Sequence, residues 1–123
     1  YVHAGNKIAA MVALSNSTQT SEEISKNVAM QVAAMNPLAL NENSVDANIV
    51  EKEIEIIKEQ LIKEGRPENI IDNIISGKLK RFYKDNTLVN QSYIKESKIS
   101  VEDYVKSTDK DLSITSFVRV SLT

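Results

Sequence analysis

Few residues of this chain are of the types that carry out chemistry, and they are scattered along it. The single histidine, His3, lies in a short turn, and the sequence contains no cysteine. A nucleophile–base–acid set would have to use His3, and no serine stands in the Gly-x-Ser-x-Gly setting of an activated nucleophile. The three glycines, Gly5, Gly65 and Gly77, are too far apart to form a loop that cradles a phosphate. These patterns predict no catalytic residue and no cofactor.

The acidic residues predict a solvated surface rather than an acid–base pair. Many of them alternate with lysines in one segment, at Glu51, Glu53, Glu55, Glu59 and Glu64. General acid–base catalysis needs groups that converge from different elements, and side chains spread along one helix do not converge. The alternative is an enzyme domain whose site is completed by a missing chain, which requires carboxylates near His3. A metal site is not predicted, because His3 has no second histidine or cysteine beside it.

Length and composition favour one domain with a modest core. The chain has 123 residues, of which 41% are apolar, and a net charge of −2. A nearly balanced charge argues against a broad basic surface for nucleic acid. No apolar run approaches the ~18 residues that span a bilayer, and no signal peptide is visible. Because the chain begins at Tyr1 rather than Met, we expect it to be a piece of a longer protein.

The most regular pattern is a pair of helical stripes separated by Gly65-Arg66-Pro67. The apolar residues recur at helical spacing on both sides of this break, at Val50, Ile54, Ile57 and Leu61 and then at Ile71, Ile75, Leu79 and Phe82. Glycine after one helix and proline at the start of the next are typical of a stop and a new start. We predict an antiparallel helical hairpin over residues 47–84, protruding as a coiled coil. Its charged faces are either solvated or a docking arm, and Gly77 is either neutral or a close contact.

The N-terminal third predicts a strand followed by a helix. Residues 7–14 are apolar on both faces, which is typical of a strand that is central or covered on two sides. Residues 1–3 are expected to form an arm that pairs back on this strand through a turn. Thr20 and Glu23 have the spacing of a capping box for a helix that ends near Met35.

The C-terminal third predicts a short strand at residues 87–89, a short helix capped by Ser100, and a final strand over residues 113–122. Alternation places Ile114 and Val118 on one face of that final strand, and Phe117 and Arg119 on the other. The fold class is therefore α+β: a small, mainly antiparallel three-stranded sheet covered by helices, with the helical hairpin as an excursion.

Two segments remain open to a binding role. His3 is either an exposed turn residue without a role or a contact to a partner, since a turn projects its side chains. Tyr93 and Ile94 lie in an irregular stretch, and at least one of them is expected in the core. If both were exposed, they would form an apolar patch and imply a protein partner.

Six blocks of the sequence, taken in order, resemble translation elongation factor Ts. They are residues 1–8 (YVHAGNKI), 28–37 (VAMQVAAMNP), 50–53 (VEKE), 64–68 (EGRPE), 77–83 (GKLKRFY) and 117–120 (FVRV). The resemblance is collinear over nearly the whole chain, and residues 29–37 are its most specific part.

This resemblance implies a guanine-nucleotide exchange factor for elongation factor Tu, in the cytoplasm, which itself binds no nucleotide, nucleic acid or membrane. The family core has two related half-domains, and residues 1–123 resemble the second, with residues 47–84 as its coiled-coil insertion. The family's Thr-Asp-Phe-Val motif, which acts as a wedge near the magnesium site of the partner, belongs to the other half and is missing from this sequence. We therefore expect a docking surface with little exchange activity.

The resemblance also implies which residues bind the partner: His3, Tyr93, Ile94 and Lys95. His3 matches the family histidine of a Tyr-x-His turn, and Ile94 and Lys95 fall where the family places a second contact. Ser92 and Tyr93 stand where proline and phenylalanine are frequent in the family, and Lys7 stands where arginine is usual. The resemblance therefore does not predict the local shape of these loops. The rival interpretation is a structural or oligomerisation module that self-associates through the hairpin.

Overall fold

A computed structural model describes residues 1–122, in which four α-helices combine with two small antiparallel sheets. The elements in order are β1 (Ile8–Leu14), α1 (Ser21–Met35), α2 (Ala47–Lys63), α3 (Glu68–Asn86), β2 (Ser92–Tyr93), β3 (Glu96–Ser100), α4 (Val101–Thr108) and β4 (Ile114–Ser121). Short 3₁₀ turns occupy Glu42–Ser44 and Leu88–Asn90. The predicted α+β class is confirmed.

The arrangement of the strands differs from the single three-stranded sheet that we predicted. β1 pairs with β4 and β2 pairs with β3, both antiparallel, in separate two-stranded sheets. The predicted strand at residues 87–89 is wrong, because helix α3 continues to Asn86 and a 3₁₀ turn follows. The Thr87 hydroxyl donates to the Tyr83 carbonyl at 2.6 Å, and the Thr87 amide donates to the same carbonyl at 3.0 Å. Thr87 itself is extended (φ −111°, ψ 133°) and forms one isolated parallel bridge with Ala39, but the 3₁₀ turn at Leu88–Asn90 follows at once, so no strand develops.

The arm at residues 1–3 pairs along the free edge of β1, as predicted. Tyr1 and Ala10 exchange two hydrogen bonds of 2.9 Å, and the His3 amide donates to the Ile8 carbonyl at 2.8 Å. The chain reverses at Gly5 and Asn6, where φ is +95° and +59°. Glycine and asparagine tolerate this left-handed region better than other residues. β1 therefore lies between the arm and β4.

The main core lies between α1, the β1–β4 sheet and α4. Its fully buried residues include Ile24, Val28 and Val32 on α1, together with Leu88, Val101 and Leu112. Ala29 and Ala33 accompany this stripe, and their small side chains allow a close approach between helix and strand. The helix predicted before Asn36-Pro37 is thereby confirmed, and Asn36 ends it with a left-handed φ of +46°.

Of the two predicted helix caps, one is confirmed and one is wrong. Ser100 accepts from the Asp103 amide at 3.1 Å, and Asp103 accepts from the Ser100 amide at 3.4 Å, which completes a capping box. Thr20 makes no side-chain cap hydrogen bond, because its backbone is already helical at φ −95° and ψ −9°. A capping side chain reaches the first-turn amides from an extended backbone, and Thr20 does not have one.

Helices α2 and α3 are joined by residues 64–67 and pack together through a second, smaller apolar cluster. Ile57, Leu61 and Ile71 are buried there, and Ile74 and Ile75 pack against them. The stripes predicted from the sequence therefore face each other near the connecting turn. Coiled-coil geometry along the whole pair, and its protrusion, stay predictions. No helix within residues 1–122 is both long and apolar enough to span a bilayer.

The outer face of the β1–β4 sheet is apolar and exposed. The residues that leave at least half of their surface accessible there are Met11 (71%), Val118 (56%) and Val120 (56%), continued by Leu122 (78%). A register shift after Ala13 brings both Ile114 and Phe117 to the core side. The shared face predicted for Ile114 and Val118 is therefore wrong, because a bulge breaks strict alternation.

Replacing Gly77 with alanine should stabilise the fold by about 1 kcal/mol, because glycine is the poorer helix former. A Cβ at this position meets no atom within 4 Å, so the substitution meets no steric obstacle. Gly65→Ala is the matched control: its site is equally open, but φ is +75°, and it should destabilise. Urea unfolding of both variants tests this, and a Gly77→Ala chain less stable than the parent would contradict it.

Candidate functional site

The turn between β2 and β3 presents an isoleucine and a lysine to solvent. Ile94 leaves 41% of its surface exposed, and Lys95 is exposed as well. Two hydrogen bonds tie this turn to α1. The Ile94 amide donates to Gln31 Oε1 at 2.8 Å, and Lys95 Nζ donates to Asn27 Oδ1 at 2.8 Å. The tip of the turn is therefore held in place by a helix rather than by its short ladder alone.

Tyr93 differs from its two neighbours because it belongs to the core. It is 4% exposed and stacks on Tyr104, with ring centroids 4.3 Å apart and 15° between the ring planes. The Tyr104 hydroxyl in turn accepts from Asn27 Nδ2 at 2.9 Å. Of the two residues that the sequence left open, Tyr93 is buried and Ile94 is exposed. Tyr93 thus fixes the base of the turn.

The phenol of Tyr93 is held in its neutral form. Burial raises the pKa of Tyr93 well above its ordinary value, and the neighbouring Tyr104 raises it further. The ionised form would lose the solvation that water gives it. The phenol therefore stays protonated to higher pH than that of a free tyrosine, and the buried, stacked ring contributes to the turn by packing.

His3 lies in the arm on the other side of β1 and is exposed. Its Nδ1 is 3.2 Å from the Tyr1 hydroxyl, and the two rings are 6.1 Å apart between centroids. The Asn6 amide donates to the His3 carbonyl at 3.0 Å, which closes the turn. Within residues 1–122, no carboxylate lies within salt-bridge distance of His3. The imidazole is accessible, and the carboxylates that an enzyme site would need are not beside it.

Helix α1 separates the two candidate turns. Tyr1 borders a shallow cavity together with Ser25 and Ala29 on one side of α1. Ile94 and Lys95 are bonded to Gln31 and Asn27, which lie on the opposite side of the helix. The structure thus brings Tyr93, Ile94 and Lys95 together and places the arm that carries His3 across the helix from them.

The exposed ridge of α1 between the two turns was not identified from the sequence. It consists of Lys26, Met30 and Ala34, spaced four residues apart, of which Met30 is half-buried. Residues at this spacing lie above one another on a helix surface. The sequence offered one signal for this ridge, which is the charge of Lys26 on the helix face opposite the apolar stripe. Its position between two turns depends on the tertiary fold.

Two further observations concern metal ions and cavities in the described residues. No group of three or more histidine, aspartate or glutamate side chains in residues 1–122 could hold a metal ion. A cavity of about 390 Å³ lies between the 3₁₀ turns and α4 and is bordered by Asn41, Glu102 and Lys106. None of the four sequence-predicted site residues lines this cavity.

Comparison with known proteins links the whole chain to one family. The family described as "Elongation factor TS" matches residues 1–123. Curated proteins named Elongation factor Ts from Christiangramia forsetii and from Flavobacterium psychrophilum are each 58% identical to the chain over 122 residues. A protein of the same name from Clostridium kluyveri is 38% identical over 125 residues.

These matches cover nearly all of this chain but only part of each relative. For the first two relatives the match includes 99% of this chain and 44% of the relative. For the Clostridium kluyveri protein the shares are 97% and 41%. The chain therefore spans less than half the length of these curated relatives.

Because its Tyr93 phenol resists ionisation in the fold, the chain should lose stability as pH rises. The unfolded phenol ionises near pH ~10, whereas the folded one keeps its proton to higher pH. The stability that the raised pKa of Tyr93 contributes is fully present below pH ~10, and it is lost as pH rises through the pKa of Tyr93 in the folded chain. Tyr93→Phe keeps the ring stack but removes the phenol. Its free energy of unfolding in urea should fall less steeply above pH ~10 than that of the parent. Identical pH profiles would contradict this account.

Proposed function

Because the chain belongs to the elongation factor Ts family, we propose that it is a docking part of the guanine-nucleotide exchange factor that binds elongation factor Tu during translation elongation. The observation that carries the proposal is the exposed Ile94–Lys95 tip at the position where the family resemblance expects a partner contact. The family match over residues 1–123 supports it.

The mechanism that we propose is differential binding. A factor that binds the nucleotide-free partner more tightly than the GDP-bound partner weakens GDP binding by the same ratio, because the two binding equilibria are linked. Side chains of this chain make and break no bond in that process. The protein is thus a binding partner rather than an enzyme, and we place it in the cytoplasm with the translation machinery.

Ile94 and Lys95 are suited to docking because they are both exposed and already ordered. Ile94 offers an apolar side chain, and Lys95 adds a positive charge beside it. Their hydrogen bonds to Gln31 and Asn27, at 2.8 Å each, fix the turn before any partner arrives. A pre-ordered turn loses less conformational freedom on binding, and this favours affinity. Tyr93 supports the turn from beneath, because its buried ring stacks on Tyr104.

His3 gives the proposed site a second point of contact. Its exposed imidazole can pack against a partner and can also form a hydrogen bond. Because α1 lies between the two turns, a partner that reaches both must cross the ridge of Lys26, Met30 and Ala34. We propose that this ridge forms the middle of the docking surface.

We also propose that residues 1–123 form one half-domain of the family core. The coverage of 44% of each relative supports this, and so does the exposed apolar face at Met11, Val118 and Val120. An apolar patch of this kind is typical of a surface that another part of the protein covers. Without a Thr-Asp-Phe-Val wedge, this half should dock with little release of nucleotide.

Helices α2 and α3, as residues 47–84, are proposed to be an accessory docking arm. The ion pairs within residues 1–122 are Arg66–Glu64, in the connection between the two helices, and Arg81–Asp85, on α3. Most charges of the two helices therefore remain open to a partner. Self-association through this arm is the rival proposal, and a mass that rises with concentration in light scattering would favour it.

Calorimetric titration of the chain into nucleotide-free elongation factor Tu tests the docking site. His3→Ala and Ile94→Ala should each weaken binding by about five- to thirtyfold, the loss expected when an interface residue that anchors a partner is truncated. Val118→Ala is the control, because it removes an apolar side chain exposed by 56% on the opposite face of the sheet, and Val118 does not line the cavity beside Tyr1. Its affinity should equal that of the parent. Unchanged affinity in both site variants would rule out the proposed site.

A further inference from the structure

Gln31 is a polar residue in the buried face of α1. It is 0% exposed, and its neighbours on that face, Val28 and Val32, are fully buried as well. Burial of an amide side chain is unfavourable unless its donors and acceptor find partners. A residue at this position thus needs a structural reason, and its hydrogen bonds supply one.

The three side-chain hydrogen bonds that Gln31 makes within residues 1–122 all reach the segment that carries the docking turn. Its Oε1 accepts from the Ile94 amide at 2.8 Å, and its Nε2 donates to the Ser92 carbonyl at 3.0 Å. The same Nε2 donates to Gln91 Oε1 at 3.3 Å. The Gln31 side chain therefore binds the backbone on both sides of Tyr93: its oxygen accepts from Ile94, and its nitrogen donates to Ser92. This pairing fixes which way the amide group points.

Gln91 is the second buried glutamine, and it links the hydrogen bonds of Gln31 to α3. It is 2% exposed, and its Nε2 donates to the Asp85 carbonyl in the last turn of α3 at 3.0 Å. Its own carbonyl accepts from the Val101 amide at the start of α4 at 3.0 Å. The two side chains thus join α1, α3 and the docking turn, while the Gln91 backbone adds the start of α4.

The two-stranded β2–β3 sheet is too small to fix the direction in which the turn of Ile94 and Lys95 projects. β2 and β3 share only the pairs Ser92↔Ser100 and Tyr93↔Glu96, and the register shifts between them. A ladder of this length is weak, and it leaves the approach of Ile94 to α1 undetermined. The side chain of Gln31 supplies the missing constraint.

We propose that Gln31 is a positioning residue for docking: its amide sets the direction in which Ile94 and Lys95 project, and Gln91 holds that amide in place. The consequence for partner binding rests on the function proposed above. The positioning itself is a property of the free chain and can be measured without a partner.

Hydrogen exchange in the free chain gives the first readout. Gln31→Leu keeps a similar volume but removes both backbone bonds, so exchange of the Ile94 amide should accelerate by about tenfold or more. Val28→Ala is the matched control, because it weakens the core one turn earlier on the same face without touching the turn. Ile94 exchange in Gln31→Leu that is no faster than in Val28→Ala would overturn the proposal.

Binding to nucleotide-free elongation factor Tu gives the second readout. Gln31→Leu should weaken binding about tenfold in the parent chain but clearly less in the Ile94→Ala chain, where Lys95 is the docking residue left for it to position. Val28→Ala should change binding equally in both backgrounds. Additive losses for Gln31→Leu and Ile94→Ala would show a general structural role and contradict positioning.

Two further outcomes keep the two proposals separate. If the parent chain does not bind elongation factor Tu, the proposed function fails, and the exchange experiment still decides whether Gln31 positions the turn. If Gln31→Leu does not fold, Gln91→Leu takes its place. That variant keeps both backbone bonds of Gln31 but removes the partner of its amide, and Ile94 exchange should accelerate to a smaller degree. No acceleration would overturn the role of Gln91 and, with it, the proposal.

Discussion

Burial of one face of α1 is the interaction on which the rest of the structure depends. Ile24, Val28 and Val32 are fully enclosed between the β1–β4 sheet and α4, and this fixes the helix in the middle of the domain. The same helix then holds the segments beside it. Gln31 and Asn27 bind the turn after β2 on one side, and the N-terminal arm lies along the other. Removal of apolar surface from water is the largest favourable term in such a core.

This arrangement explains how a chain with little reactive chemistry can have a function. The proposed docking surface needs only exposed groups in fixed positions, and rigid elements beneath supply them. Ile94 and Lys95 stand on a turn supported by the stacked Tyr93 and Tyr104. His3 stands on an arm that β1 holds by backbone hydrogen bonds. In the function that we propose, binding free energy rather than an activated side chain would weaken the hold of elongation factor Tu on its nucleotide.

The sequence predicted the long helices well, because their apolar spacing is a local signal. It predicted the small strands poorly, because Thr87 forms one isolated bridge before a 3₁₀ turn begins, and because alternation cannot reveal the bulge before Phe117. The resemblance named the candidate site residues, but it did not separate the buried Tyr93 from the exposed residues after it. Gln31 reads as an ordinary helix residue, since its Ile94 partner lies 63 positions away.

The most direct test of a docking half without a wedge is the release of fluorescent GDP from elongation factor Tu while this chain is titrated in. Binding is followed by calorimetry in parallel, so that occupancy is known at each point. The account predicts that the release rate stays at its spontaneous value even when the partner is largely bound. Acceleration of release that follows occupancy would contradict the account, because this half alone would then distort the nucleotide site.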